Sequence, residues 1–144
     1  MKKLFFIFTA IVALTVASCK KPAGEGGNSS IKGKIHTRNY NPDFSVLINQ
    51  YDGADLDVYI IYGDDATYGN KVKSGPDGVF EFLYLRKGAY KIYVYSKDSV
   101  GTVATPPYSV LNPNLNAPKI AVFKSVDISK RKEKVDAGTF EIYN

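Results

Sequence analysis

Few side chains in this 144-residue chain are suited to chemistry, and they are scattered. There is one cysteine, Cys19, and one histidine, His36. A lone thiol forms no internal disulfide, so a secreted domain of this sequence must be stable without one. A lone imidazole cannot build a His-rich zinc site, and His36 reads as an exposed strand residue. Asp52, Asp55 and Asp57, followed by Asp64 and Asp65, place oxygen ligands of the kind Ca²⁺ takes. Their spacing does not match an EF-hand loop, and the glycines beside them make them turn formers. No GxSxG, no phosphate-binding glycine loop and no nucleophile–base pair is readable. The expectation is a non-enzymatic protein with no catalytic residue, no metal and no cofactor.

Cys19 is set apart by what precedes it. Lys2 and Lys3 form a positive start, and residues 4–16 form an apolar run without charge. That run is well short of the roughly 20 residues a helix needs to span a bilayer. Ala17 and Ser18 are small enough for a peptidase cleft. Residues 1–18 therefore read as a cleaved signal peptide. Val16-Ala17-Ser18-Cys19 resembles the lipobox of bacterial lipoproteins, in which an aliphatic residue and two small ones precede the cysteine. The resemblance implies a diacylglycerol on the Cys19 thiol, cleavage before it and acylation of the new amine. Each buried CH₂ contributes about 0.8 kcal/mol, and two or three chains hold a protein on a membrane. It also implies the cell envelope as location, with the outer membrane of a Gram-negative bacterium expected. Lys20 and Lys21 stand where some such lipoproteins carry an acidic surface-export signal, so the face of that membrane stays open.

The elements that follow are β-strands. Residues 19–30 read as the lipidated cysteine and a flexible Gly/Ser linker. Residues 31–144 read as one domain, large enough for a real core. Eleven Tyr, eight Phe, 12 Gly and 7 Pro lean towards β-structure with many turns. Period-two alternation predicts strands beginning at Ile31 and over 57–62, 68–74, 79–85, 89–97, 119–128 and 138–143, with residues 44–48 a strand or a packed loop. In 79–85 it places Phe80, Phe82 and Tyr84 on one face; in 89–97, Tyr90, Ile92 and Val94. Residues 100–116 are loop-rich, and Gly75-Pro76-Asp77-Gly78 is a strong turn signal. The fold class is all-β, an antiparallel sandwich of about seven strands.

One stretch is more specific. Residues 75–95, GPDGVFEFLYLRKGAYKIYVY, resemble the signature of prealbumin-like modules, which include carboxypeptidase-regulatory-like domains. The matching positions are Asp77-Gly78, Phe80, Phe82, Leu85, Gly88 and Tyr90, with Ile92 and Val94 following. The resemblance implies a prealbumin-like, Ig-like sandwich; the family shares a fold and no single function.

Function must then come from the surface. Tyr59, Tyr93 and Tyr95 lie opposite the predicted core positions of their strands, and on one sheet they form an aromatic stripe suited to sugar rings or a protein partner. Lys130-Arg131-Lys132-Glu133-Lys134 reads as a solvated loop or hairpin, with contact to anionic lipid or glycan as the alternative. Without residues 1–18 the chain carries 17 basic against 14 acidic residues, too even a balance to imply nucleic acid. The reading is a membrane-anchored, non-catalytic lipoprotein presenting a binding module to a glycan or envelope protein. The alternatives are a structural or adhesive surface module, or a glycan-binding accessory that uses the tyrosines. A Cys19→Ser variant is expected to lose lipid labelling and to leave the membrane fraction; unchanged partitioning would contradict the anchor.

Overall fold

The structure, a computed structural model, describes residues 22–42, 44–99 and 118–144. The signal segment 1–18, Cys19, Lys20, Lys21 and the 100–116 loop lie outside the described residues. Among the described residues there are eight strands: β1 (Glu25–Tyr40), β2 (Leu47–Asp52), β3 (Asp57–Tyr62), β4 (Asn70–Lys73), β5 (Val79–Leu85), β6 (Gly88–Lys97), β7 (Lys119–Ile128) and β8 (Lys134–Tyr143). They form two four-stranded sheets. In one, β1 pairs with β8 along one edge; along the other it pairs with β5 and then, further on, with β2. The second runs β4-β3-β6-β7. The expected all-β sandwich is observed, with one strand more than the seven read from sequence. Its ladders are antiparallel except that between β1 and β8, which is parallel.

The core follows from alternation. Ile31, Ile35, Phe80, Phe82, Phe140 and Ile142 of the first sheet face Val58, Ile60, Tyr90, Ile92, Val94 and Ile128 of the second, and all are buried. Phe80 meets Phe82 and Phe140 edge-on, at 6.0 and 5.7 Å between centroids. Residues 75–78 turn as expected: the Gly78 N–H donates to the Gly75 carbonyl, and the Val79 N–H to the Asp77 carboxylate. One face assignment is corrected. Tyr84 is 71 % exposed and Leu85 is buried in its place. Ile31 pairs with Phe82 but Ser29 with Leu85, so β5 carries one extra residue. That bulge is made at Tyr84, whose φ is 57°, and it reverses the alternation beyond it.

A second correction concerns the linker. Residues 22–30 are not a free tether. β1 begins at Glu25, and the chain before it is clamped onto the β5–β6 turn. The Arg86 N–H donates to the Gly24 carbonyl at 2.8 Å, and the Arg86 side chain donates to the Pro22 carbonyl at 2.9 Å. The Gly24 N–H donates to the buried Tyr90 hydroxyl at 3.0 Å, and that hydroxyl donates to the Arg86 carbonyl at 2.6 Å. Further along, Tyr62 and Asn70 donate to the Glu25 carboxylate, and the Ser30 N–H to the Glu133 carbonyl. Small residues that read as flexible are here what lets backbone approach backbone. A β-carbon at Gly27 would collide with the Leu85 carbonyl, and one at Gly88 (φ 148°) would lie 2.7 Å from the Ala23 methyl.

Tyr90→Phe leaves the Gly24 N–H and the Arg86 carbonyl without this partner, and is expected to cost about 1–3 kcal/mol, read as a lower urea midpoint with unchanged slope. Burial, then the hydrogen bond to Glu25, pushes the Tyr62 phenol from 10.0 up to about 12. The folded value lies above the unfolded one, so this contribution to stability is complete below pH 10 and is lost as the pH rises through about 12. Tyr62→Phe is therefore expected to flatten the fall of stability across that window, measured by denaturant unfolding at stepped pH.

Candidate functional site

The outer face of the β4-β3-β6-β7 sheet carries the candidate site. Inward alternation of Val58 and Ile60 in β3, and of Ile92 and Val94 in β6, turns Tyr59, Tyr93 and Tyr95 outward. Register brings them together: Tyr59 pairs with Tyr93, Tyr93 with Phe123 of β7, and Tyr59 with Lys71 of β4. One row across four strands is thus Lys71, Tyr59, Tyr93, Phe123. Tyr95 sits two residues along β6 from this row, and Tyr68 reaches it from the β3–β4 connection.

The rings touch. Tyr59 and Tyr93 are stacked, 4.9 Å apart at 9°. Adjacent strands are spaced by about 4.7–4.9 Å, so rings stacked at this separation stand upright from the sheet, with their faces turned to one another. Phe123 leans on Tyr93 at 5.0 Å, Tyr68 meets Tyr59 edge-on at 5.1 Å, and Tyr95 meets both stacked rings edge-on at 5.7 Å. Tyr93, at the centre, is only 9 % exposed, whereas Tyr95, Tyr68 and Phe123 are 47, 50 and 56 % exposed. Burial raises the Tyr93 phenol above its ordinary value, with a lesser contribution from Tyr95, so it stays a neutral hydroxyl at physiological pH. The three expected tyrosines are therefore adjacent but unequal. Tyr93 supports its neighbours, and Tyr95, Tyr68 and Phe123 supply the accessible aromatic surface.

Charged groups border the cluster. The Lys71 ammonium lies 5.8 Å from the Tyr59 ring centre and 3.2 Å from the Asp57 carboxylate, which raises the lysine's pKa. Such a rim offers a donor and an acceptor beside apolar ring edges. The sequence reading missed Phe123 and Tyr68. Phe123 was findable, since it alternates with Val122 and Lys124, but only the β6–β7 register sets it against Tyr93.

The other candidates are spread out. Asp52, Asp55, Asp57 and Asp64 each pair with a lysine, Lys34, Lys73, Lys71 and Lys91 respectively. Among the described residues, no three metal-ligating side chains are grouped. His36, expected to be exposed, is half-buried on β1, 3.8 Å from Asp52. A further apolar surface lies on β2, whose Leu47 and Ile48, with Val46 before them, are 43, 61 and 58 % exposed. Among the described residues β2 pairs with β1 alone, and no described strand lies along its other edge.

No family model and no curated protein matches this chain. Among solved structures it is similar to a Pseudomonas aeruginosa protein provisionally described as carbohydrate binding. The similarity covers 85% of this chain and 92% of that one, at 12% identity and a TM-score of 0.45. A likeness that distant bears on neither ligand nor site.

Proposed function

We propose that this chain is a non-catalytic lipoprotein of the cell envelope, anchored through Cys19, whose β-sandwich binds glycan on the outer face of β4-β3-β6-β7. The single observation that carries the binding role is the cluster of five touching aromatic rings with three of them about half exposed. Apolar rings left in water have a cost that a ligand removes by covering them. Sugars suit this surface, because their C–H faces pack on rings while their hydroxyls reach tyrosine O–H groups and the Lys71–Asp57 rim. The lipobox resemblance supports the anchor, and the prealbumin-like signature of residues 75–95 supports a fold that serves as a scaffold.

The exposed β2 edge favours a second reading, an adhesive module that takes up an extended segment of a protein partner by strand addition. The two readings use different residues. Binding to immobilised peptidoglycan, lipopolysaccharide and a neutral glucan is expected to weaken about tenfold or more on Tyr95→Ala or Phe123→Ala, and to be indifferent to Ile48→Asp. Absence of binding to all three glycans, with attachment to a collagen-coated surface that Ile48→Asp removes, would replace the glycan reading by the adhesive one.

A further inference from the structure

We propose that the end of the sandwich formed by the β5–β6 and β7–β8 turns docks on anionic phospholipid headgroups and holds the domain in one orientation on the bilayer. This rests on the Cys19 anchor proposed above.

The two turns lie side by side because Gly88, at the start of β6, pairs with Ile128, at the end of β7. One contributes Arg86 and Lys87; the other contributes Lys130, Arg131 and Lys132. Between them is a cleft of about 540 Å³, lined by residues 26–29 of β1 and by Arg86, Lys87 and Arg131, with no carboxylate in its wall. Among the described residues, the ion pairs that lysine and arginine form elsewhere use Lys34, Arg38, Lys71, Lys73 and Lys91. None of the five cations at this end is in one.

The neighbouring acids offset only part of the charge at the cleft, since five cations stand against the carboxylates of Glu25 and Glu133. The Glu133 carboxylate is folded back into its own turn, where it accepts the Lys130 and Ser129 N–H groups; those bonds, with a smaller contribution from the Lys130 charge, lower its pKa. Glu25 is held by Tyr62 and Asn70, and Asp64 by Lys91. Asp65 and Asp127 are exposed on the side of the β4-β3-β6-β7 sheet. The end is therefore polarised, positive around the cleft and acidic beside it.

Chain length brings this end to the membrane. The Pro22 carbonyl is held by the Arg86 side chain, and three peptide steps separate Cys19 from Pro22. An extended chain spans at most about 3.6 Å per residue, so the lipid attachment point lies within about 11 Å of Pro22. That is close to the Debye length of about 8–10 Å at physiological salt. A free twelve-residue linker would let any face of the domain meet the bilayer; the clamped segment keeps this end near the surface, and the cations are what hold it against the headgroups. Each cation at an anionic surface favours contact by about fivefold, and guanidinium groups match phosphate oxygens in bidentate geometry.

The test uses the lipidated chain in vesicles. Cys19 is consumed by its lipid, so a single new cysteine takes a fluorophore: Asn28→Cys in the cleft wall, or Asn49→Cys on β2. Asn49 pairs with Asn39 of β1, eleven residues along the strand from Asn28, about 36 Å away at the usual rise. In phosphatidylethanolamine–phosphatidylglycerol vesicles holding a headgroup quencher, the Asn28 probe is expected to be quenched about threefold or more over the Asn49 probe, since only its end lies within the Debye length of the surface. The contrast is expected to collapse when phosphatidylcholine replaces phosphatidylglycerol, and in Lys87→Gln/Lys130→Gln/Arg131→Gln, which spares the structural Arg86. Equal quenching of the two probes, or a contrast that survives in that variant, would overturn the proposal. Vesicle flotation and the mass of the N-terminal peptide read the anchor separately. A chain that does not float removes the anchor and this docking together; one that floats without contrast removes the docking alone.

Discussion

The hydroxyl of Tyr90 is the junction on which the organisation of this domain depends. The ring is buried between the sheets, 1 % exposed, and its oxygen cannot be left unpaired there without a cost of about 1–3 kcal/mol. It finds partners at one place, accepting from the Gly24 N–H and donating to the Arg86 carbonyl. Two separate pieces of chain meet there: the segment that leads into β1, and the β5–β6 turn with the first residues of β6. With that junction made, β1 runs from Glu25 to Tyr40 and becomes the strand on which β2, β5 and β8 are all paired.

The rest of the molecule is arranged along the axis that β1 sets. The entering chain, the two basic turns and the cleft between them share one end. The β2 edge lies at the other, with Val46 and Ile48 exposed. The aromatic face lies between, on the flank made by the second sheet, with Tyr95, Tyr68 and Phe123 exposed on it. The basic end and the aromatic face are thus kept on different parts of a small domain, and neither competes with the packing of the core.

Much of this was legible in the sequence because alternation with large apolar side chains has one physical meaning, a sheet buried on one face. The limits of β3 and β5 were readable to the residue, and the faces of Tyr90, Ile92 and Val94 were assigned correctly. Failures came where small residues or backbone geometry decided. Gly26, Gly27 and Ser29 have the composition of a linker, yet they form the close contacts of β1, since nothing in a glycine says whether it gives freedom or proximity. Tyr84 continues the alternation of Phe80 and Phe82 on paper; a single left-handed residue moves it to the outside. At the candidate site, strand direction was enough to turn Tyr59, Tyr93 and Tyr95 outward. Cross-strand register was needed to show that Phe123 joins them and that Tyr93 is covered by its neighbours.

The central claim is that residues 22–30 belong to the folded domain and are not a tether to it. Amide hydrogen exchange tests it most directly, at Gly24, whose N–H meets Tyr90; at Arg86, whose N–H meets the Gly24 carbonyl; and at Ser30, whose N–H meets the Glu133 carbonyl. All three amides are predicted to be protected to the same degree as Ile92 in the core, opening only with global unfolding. Exchange of Gly24 and Arg86 at the rate of an unstructured chain, while Ile92 stays protected, would contradict the account.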